Sequence, residues 1–308
     1  MKIKLKHTSK TLYKAHREFL NANRINLSEI TQIGYNQRYL SLNKYGLDDE
    51  LDVAMIDTAM VNQFISNMQS HGLASETMNN YLSYLKILMT FCEDMGYIDK
   101  MPKFKTIKNT TQQKMPLTHE EIEKLIVMPK DLDFVTYRNW VQCQLMLATG
   151  IRSRNVREVK VSDLNLAHST LFLADTKNGN AYTINLSPTI VKLLTSYVSR
   201  LELDDTMPLF PTQYGKVQHR GSFANSMTKF FKMQGVERAT PHLLRHTYAS
   251  QLAKSNVPIP IISKMLCHAN LRTTSRYINM MEEDVREVAR TIDILGSYQP
   301  KKRSRIKL

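Results

Sequence analysis

The sequence predicts a mainly α-helical protein with one small antiparallel β-sheet, built as a helical N-terminal unit followed by a larger α-rich domain. Three observations predict this. Apolar residues recur at helical spacing through most of the chain, punctuated by glycines and capping residues. An Asn-Gly pair inside DTKNGN, residues 175–180, lies between two short strand-like runs and reads as a hairpin turn. A lysine-rich stretch of low apolar content, 99–116, separates the two helical blocks.

The first block, 1–98, reads as four helices. Leu12, Phe19 and Leu20 mark the first. A second runs from about Ser28 to Tyr45 and stops at Gly46. Asp57 or Thr58 caps a third, with Met60, Phe64, Ile65 and Met68 on its apolar face before Gly72. Ser75 caps a fourth, in which Met78, Tyr81, Leu82, Leu85, Leu88 and Met89 share one side and Gly96 ends the run. The linker follows, with two prolines and with Lys100, Lys103, Lys105, Lys108 and Lys114. Those lysines either track a phosphate backbone or solvate a connector.

The second domain, 117–300, opens with a capping box, Thr118 with Glu121. A long apolar helix from about Phe134 to Ala148 ends at Gly150. Strands are expected at Val159–Val161, Thr170–Leu173 and Tyr182–Leu186. Helices then dominate: Pro188 to Arg200, Phe223 to Met233, His242 to Lys254, Pro260 to Leu266, Thr274 to Met281, and a closing one from Glu282 to Leu295. The basic segment 301–308 reads as a tail.

Charge gives the first functional clue. Lysine and arginine total 42 against 28 acidic residues, a net charge of +14. The direct physical reading is a polyanion partner, since each neutralised phosphate releases a condensed counterion. The alternative is a basic but otherwise ordinary enzyme. No uninterrupted apolar run is long enough to span a bilayer, and MKIKLKHTSK lacks the apolar core of a secretory signal, so the cytoplasm is expected. Cys92, Cys143 and Cys267 are far apart, forming neither a CxxC pair nor a zinc pattern. No metal and no cofactor are expected.

His242 and Arg245, in TPHLLRHTYASQLA, are three residues apart and share a helix side near its N-terminus. Leu244, Tyr248 and Leu252 form a separate stripe, expected to be buried. A guanidinium at a helix start favours an anion. Arg152, in ATGIRSRNV, stands where the long apolar helix ends, and planar arginine matches phosphate oxygens. Lys177 lies in the hairpin turn, where a lysine is ordinarily only solvated but where it could also reach a phosphate. His268 precedes Tyr277 by nine residues in KMLCHANLRTTSRYINM. Each feature alone is weak. Together, in order, five phosphate-facing or proton-transferring side chains precede one candidate nucleophile.

These segments resemble the tyrosine recombinase, or phage integrase, family. ATGIRSRNVREV resembles its first arginine box, PHLLRHTYASQLA is very similar to its HxLRHT box, and CHAN…TTSRY resembles its final box. The helical unit and basic linker fit the family's core-binding domain and hinge, so the resemblance spans nearly the whole chain. Two positions depart from the pattern. Asn155 stands where the family often has an acidic residue, with Glu158 nearby at a different spacing. Cys267 replaces the usual glycine before the last histidine, which asks for a small side chain at a tight spot.

The resemblance implies transesterification on double-stranded DNA at a specific site. Tyr277 would attack a phosphodiester to form a 3′-phosphotyrosyl link, with Arg152 and Arg245 clamping the non-bridging oxygens and His268 as a further donor. Lys177 would be general acid for the leaving 5′ oxygen, and His242 would help deprotonate Tyr277. The resemblance further implies a clamp around the duplex and a homotetramer on two DNA sites. The segment from Glu282 onward would either dock on a neighbouring subunit or pack within its own. Two other readings use the same residues: a type IB topoisomerase-like enzyme that relaxes any supercoiled DNA, and a DNA-binding regulator that has lost the chemistry.

Overall fold

The computed structural model describes residues 9–108, 115–130, 133–174 and 181–267. The chain divides into two compact units, Met1–Gln113 and Lys114–Leu308.

The first unit holds four helices: α1 (Leu12–Ala22), α2 (Glu29–Lys44), α3 (Thr58–Ser70) and α4 (Ser75–Asp94). Side chains at Thr11, Ser28 and Asp57 cap the first three by accepting backbone N–H groups of the first turn. The fourth differs from expectation. Ala74 occupies the cap without a side-chain bond and Ser75 is the first helical residue. Long α4 packs on both α1 and α2. Its Leu85, Leu88 and Met89 meet Leu12, Leu42, Phe64 and Met68 in a fully buried core.

A polar group sits inside this core. His16 is buried, stacks on Tyr39, and uses both ring nitrogens: Nδ1 meets the Tyr84 hydroxyl, and Nε2 lies 2.9 Å from Asn36 Oδ1. Asn36 Oδ1 only accepts, so Nε2 carries the proton and Nδ1 accepts from Tyr84. Burial pulls the imidazole pKa below its ordinary value, against the pull of Asn36.

The beginning of the lysine-rich stretch is not free of this unit. Met101, Phe104 and Ile107 pack against the core. Asn79 brackets Ile107, donating Nδ2 to its carbonyl at 2.8 Å and accepting its N–H at 3.0 Å. At the other end Arg238 donates to the Met115 and Pro116 carbonyls and to both oxygens of Glu121, and Leu117 N–H reaches Thr247 Oγ1 at 2.9 Å.

The second unit is organised around one helix. After α5 (His119–Ile126), opened by the expected capping box, α6 (Phe134–Thr149) is buried on nearly every side. A helix that is apolar around most of its circumference belongs at the centre of a domain. Around it stand α5, α8 (Pro188–Arg200), α9 (Arg220–Met233) and α10 (Pro241–Lys254). Short α7 (Ser153–Glu158) follows α6 directly, and α11 (Ile259–Met265) packs on α10.

A three-stranded antiparallel sheet, β1 (Leu164–Asn165), β2 (Thr170–Leu173) and β3 (Tyr182–Asn185), pairs in chain order. Leu171 faces Ile184 and Leu173 faces Tyr182, with Leu171, Leu173 and Ile184 buried and Phe172 outward. The expected strand at Val159–Val161 is not part of this sheet. Val161 N–H donates to Met207 O and Leu209 N–H to Val159 O, giving a single bridge between Lys160 and Pro208. Asp163 then accepts the Lys160 N–H, which curls 161–163 into a short 3-10 turn and shifts the first strand to Leu164. Two further corrections concern helices. α9 begins at Arg220, earlier than expected, because His219 caps it. Of the stripe expected to be buried on α10, only Leu244 is; Tyr248 and Leu252 are half-buried over a small cluster of Ala249, Ala253, Ile262 and Leu266. The expected helices at Thr274–Met281 and Glu282–Leu295, the hairpin turn 175–180 and the tail 301–308 lie outside the described residues.

Gly150 closes α6 in the left-handed region, with φ of 62°. A Cβ there would stand 2.5 Å from Tyr248 Cδ1 and 2.9 Å from Leu266 Cδ2. Gly150→Ala is therefore expected to lower stability by roughly 1–3 kcal/mol through torsional strain and overpacking. A urea midpoint unchanged by the substitution would refute that account.

His16 predicts an acid-sensitive unit. Its folded pKa is depressed, so the unfolded chain binds the proton first. The penalty is absent above the unfolded value of about 6.5 and grows as pH falls below it. Stability measured from pH 8 to pH 5 should decline in the wild type, and His16→Gln should flatten part of that decline.

Candidate active site

Arg152 and Arg245, two of the three described site residues, meet where three backbone segments converge. Arg152 stands at the N-cap of α7, two residues after Gly150. It is half-buried and its Nη2 donates to the Cys267 carbonyl at 2.6 Å. Arg245, on the second turn of α10, is 7% exposed. Its Nη1 donates to the Gly150 carbonyl at 2.6 Å and its Nη2 to the Leu266 carbonyl at 2.5 Å. The two guanidinium groups thus hold adjacent peptide carbonyls, those of Leu266 and Cys267. A helix end leaves such carbonyls without partners inside the helix, and α11 ends here. Carbonyl acceptors orient a guanidinium without cancelling its charge.

Cys267 explains the family's usual glycine. Its φ is +50°, in the left-handed region that costs a side chain roughly 1–2 kcal/mol. The demand at this position is conformational as well as spatial. The turn aims the Leu266 and Cys267 carbonyls at the two arginines.

His242 lies in the first turn of α10 and is exposed, whereas Arg245 is buried. The two share one helix, yet only Arg245 enters the core, because α10 packs broadly on α6. Lys177, His268 and Tyr277 lie outside the described residues, and His268 directly follows Cys267 in the chain.

The sequence reading missed one neighbour of the site, Tyr182. Asn155, on α7, donates Nδ2 to the Tyr182 hydroxyl at 2.7 Å. Burial raises the Tyr182 pKa, and its surroundings include Cys267, Arg152 and Arg245. The available signal was alternation in β3, which sets Tyr182 on the same side as buried Ile184. Basic residues extend away from the site: half-buried Arg157 donates to the Gln218 carbonyl at 3.0 Å, with Arg154 and Arg220 near enough to depress its pKa alongside burial.

Among the described residues, no group of three or more His, Cys, Asp or Glu side chains could hold a metal ion. No helix among them is long and apolar enough to cross a membrane.

Comparison with known proteins follows the same geometry. The chain is 24% identical over 282 residues to tyrosine recombinase XerD of Staphylococcus epidermidis, covering 88% of this chain and 95% of that one. It is 26% identical over 237 residues to tyrosine recombinase XerA of Pyrococcus furiosus, covering 76% and 80%. Among solved structures, the Tn1549 transposon integrase shares the fold with a TM-score of 0.76 at 18% identity, over 87% of this chain and 95% of that chain. Lambda integrase does so with a TM-score of 0.72 at 17% identity, over 87% and 95%. The family model described as the phage integrase family matches residues 116–284, more than half of the sequence, and the chain belongs to that family.

Proposed function

We propose that this protein is a site-specific DNA recombinase that cleaves and rejoins strands through a 3′-phosphotyrosyl bond at Tyr277. The observation that carries the reading is the pair of guanidinium groups, Arg152 and Arg245, fixed on the adjacent carbonyls of Leu266 and Cys267. Two cations gathered by backbone oxygens make a clamp suited to one phosphate. Duplex DNA as the substrate is supported by what related proteins are seen to hold. The Tn1549 integrase is seen on circular intermediate DNA, and lambda integrase as a dimer on a core site.

In this reading residues 1–98 bind one face of the duplex, 99–116 connect, and 117–300 carry the chemistry. Tyr277 Oη bonds to phosphorus and the bond from phosphorus to the 5′ oxygen breaks. Lys177 gives that oxygen a proton, and His242 helps take the proton of Tyr277. Arg152, Arg245 and His268 carry the charge that builds on the non-bridging oxygens. A 5′-hydroxyl from a second strand then reverses the step, so the bond energy is conserved. Two sites held by a homotetramer complete the exchange, in the cytoplasm on chromosomal or mobile DNA. The departures from the family pattern remove none of these groups.

The test is covalent capture on nicked duplexes drawn from the DNA flanking the gene. Wild type should give a protein–DNA adduct on a denaturing gel, on particular fragments, and Tyr277→Phe should give none. Arg152→Lys should slow adduct formation roughly a hundredfold, since a point charge replaces a two-pronged donor. Adducts on every fragment alike would favour the topoisomerase-like enzyme. Binding without adduct on any fragment would favour the regulator.

A further inference from the structure

The helix that carries the buried clamp arginine is held on another side by the end of the lysine-rich connector. Thr247 stands two residues beyond Arg245 on α10, and residues two apart on a helix point to nearly opposite sides. Arg245 reaches the Gly150 and Leu266 carbonyls. Thr247 is 1% exposed, and its hydroxyl is used twice. Oγ1 donates to the Leu243 carbonyl, one turn back, at 2.8 Å, and accepts the Leu117 N–H at 2.9 Å. The bond to Leu243 fixes the direction of the hydroxyl, so its remaining lone pair is aimed. Leu117 directly follows the connector, and its side chain joins the buried core of the second unit. A peptide N–H buried there needs an acceptor, and Thr247 is that acceptor.

The two residues before Leu117 are fastened as well. Arg238 donates Nη1 to the Met115 carbonyl at 2.8 Å and Nη2 to the Pro116 carbonyl at 2.9 Å. The same guanidinium grips both oxygens of Glu121 on α5, which fixes its own direction. Two residues after Arg238, Thr240 caps α10. Residues 115–117 are thus tied beside the start of α10 by Arg238 and to its second turn by Thr247. α10 stands between two sets of backbone partners. Arg245 answers carbonyls at two helix ends, and Thr247 answers the N–H at the end of the connector. A helix fastened on both sides keeps its rotation about its own axis, and that rotation sets where the Arg245 guanidinium points.

We propose that Thr247 is a positioning residue of the recombination site: it ties the end of the connector to α10, and the direction of Arg245 depends on that tie. The proposal rests on the recombinase reading above. Thr247→Val keeps the shape of the side chain and deletes the oxygen, which leaves the Leu117 N–H without its acceptor. Thr247→Ser keeps the hydroxyl.

Two measurements on the full-length protein test this. In the first, DNA affinity and the rate of adduct formation at saturating nicked duplex are measured separately. Thr247→Val should slow adduct formation roughly three- to tenfold, the size of one net hydrogen bond, and leave affinity within about twofold of wild type. Thr247→Ser should return the rate to within about twofold of wild type. A merely structural role would lower the unfolding temperature and leave the rate of the folded molecules unchanged, and that result overturns the proposal. A serine variant as slow as the valine variant overturns it too.

In the second, the carbonyl-carbon resonances of Gly150 and Leu266 are recorded without DNA, because they report the two bonds that Arg245 makes. Thr247→Val should shift both, and Thr247→Ser should leave both near their wild-type positions. Resonances that ignore the valine substitution overturn the proposal. Should Thr247→Val unfold, Arg238→Met loosens the same segment and serves for both measurements, with the same expected signs and a smaller effect. If wild type forms no adduct, the recombinase reading fails while the carbonyl resonances still decide the tie.

Discussion

Arg245 fastens two chain segments that have no covalent reason to be near each other. From α10 it reaches the Gly150 carbonyl, where α6 stops, and the Leu266 carbonyl, where α11 stops. Both acceptors belong to helix ends, so both would otherwise lack partners in a region closed to water. Left-handed backbone at Gly150 and Cys267 turns those ends toward the guanidinium. Arg152 then has its own acceptor one peptide further on, at Cys267. The direction of each guanidinium follows from the course of the backbone around it. A site made this way needs few dedicated side chains, and its precision derives from the packing of α6, α10 and α11.

That packing depends in turn on α6. Buried on nearly every side, it packs on α5, α7, α8, α9 and α10 and sets where its own C-terminus arrives. The sheet, with Leu171, Leu173 and Ile184 turned into the same core, delivers Tyr182 to Asn155 on α7. In the first unit the comparable organiser is α4, and the polar set of His16, Asn36 and Tyr84 fixes one arrangement of α1, α2 and α4 around it. Each unit thus carries its own core and its own means of selecting a single packing.

Much of this was legible in the residues. Helical spacing and capping chemistry are local, so most of the described helices were readable to within a residue or two, as was the capping box at Thr118, whereas α7 was not foreseen and α9 starts three residues before its expected start. The hairpin strands β2 and β3 were readable because Asn-Gly fixes their neighbourhood. What failed was decided at a distance. Val159–Val161 has strand composition, but Asp163 and the partner segment 207–209 make it a bridge and a turn. Ser75 looked like a cap, yet Ala74 holds that position. Arg152 and Arg245 were recognisable as a pair through their boxes, but nothing in either box states that carbonyls 266 and 267 hold them. The role of position 267 was read as a matter of size, and the backbone torsion adds its own demand. Tyr182 carried no motif at all. Its significance arises from a contact across 27 positions of sequence.

The burial of Arg245 bears on how such chains can change over generations. A lineage drifting from strand exchange toward simple occupancy of DNA would no longer need a phosphate clamp for chemistry. It could not shed Arg245 freely even then, because two helix ends would be left with unanswered oxygens. The arginine therefore testifies to architecture as much as to chemistry. Among descendants of this fold, its survival says little about whether a strand is ever cut.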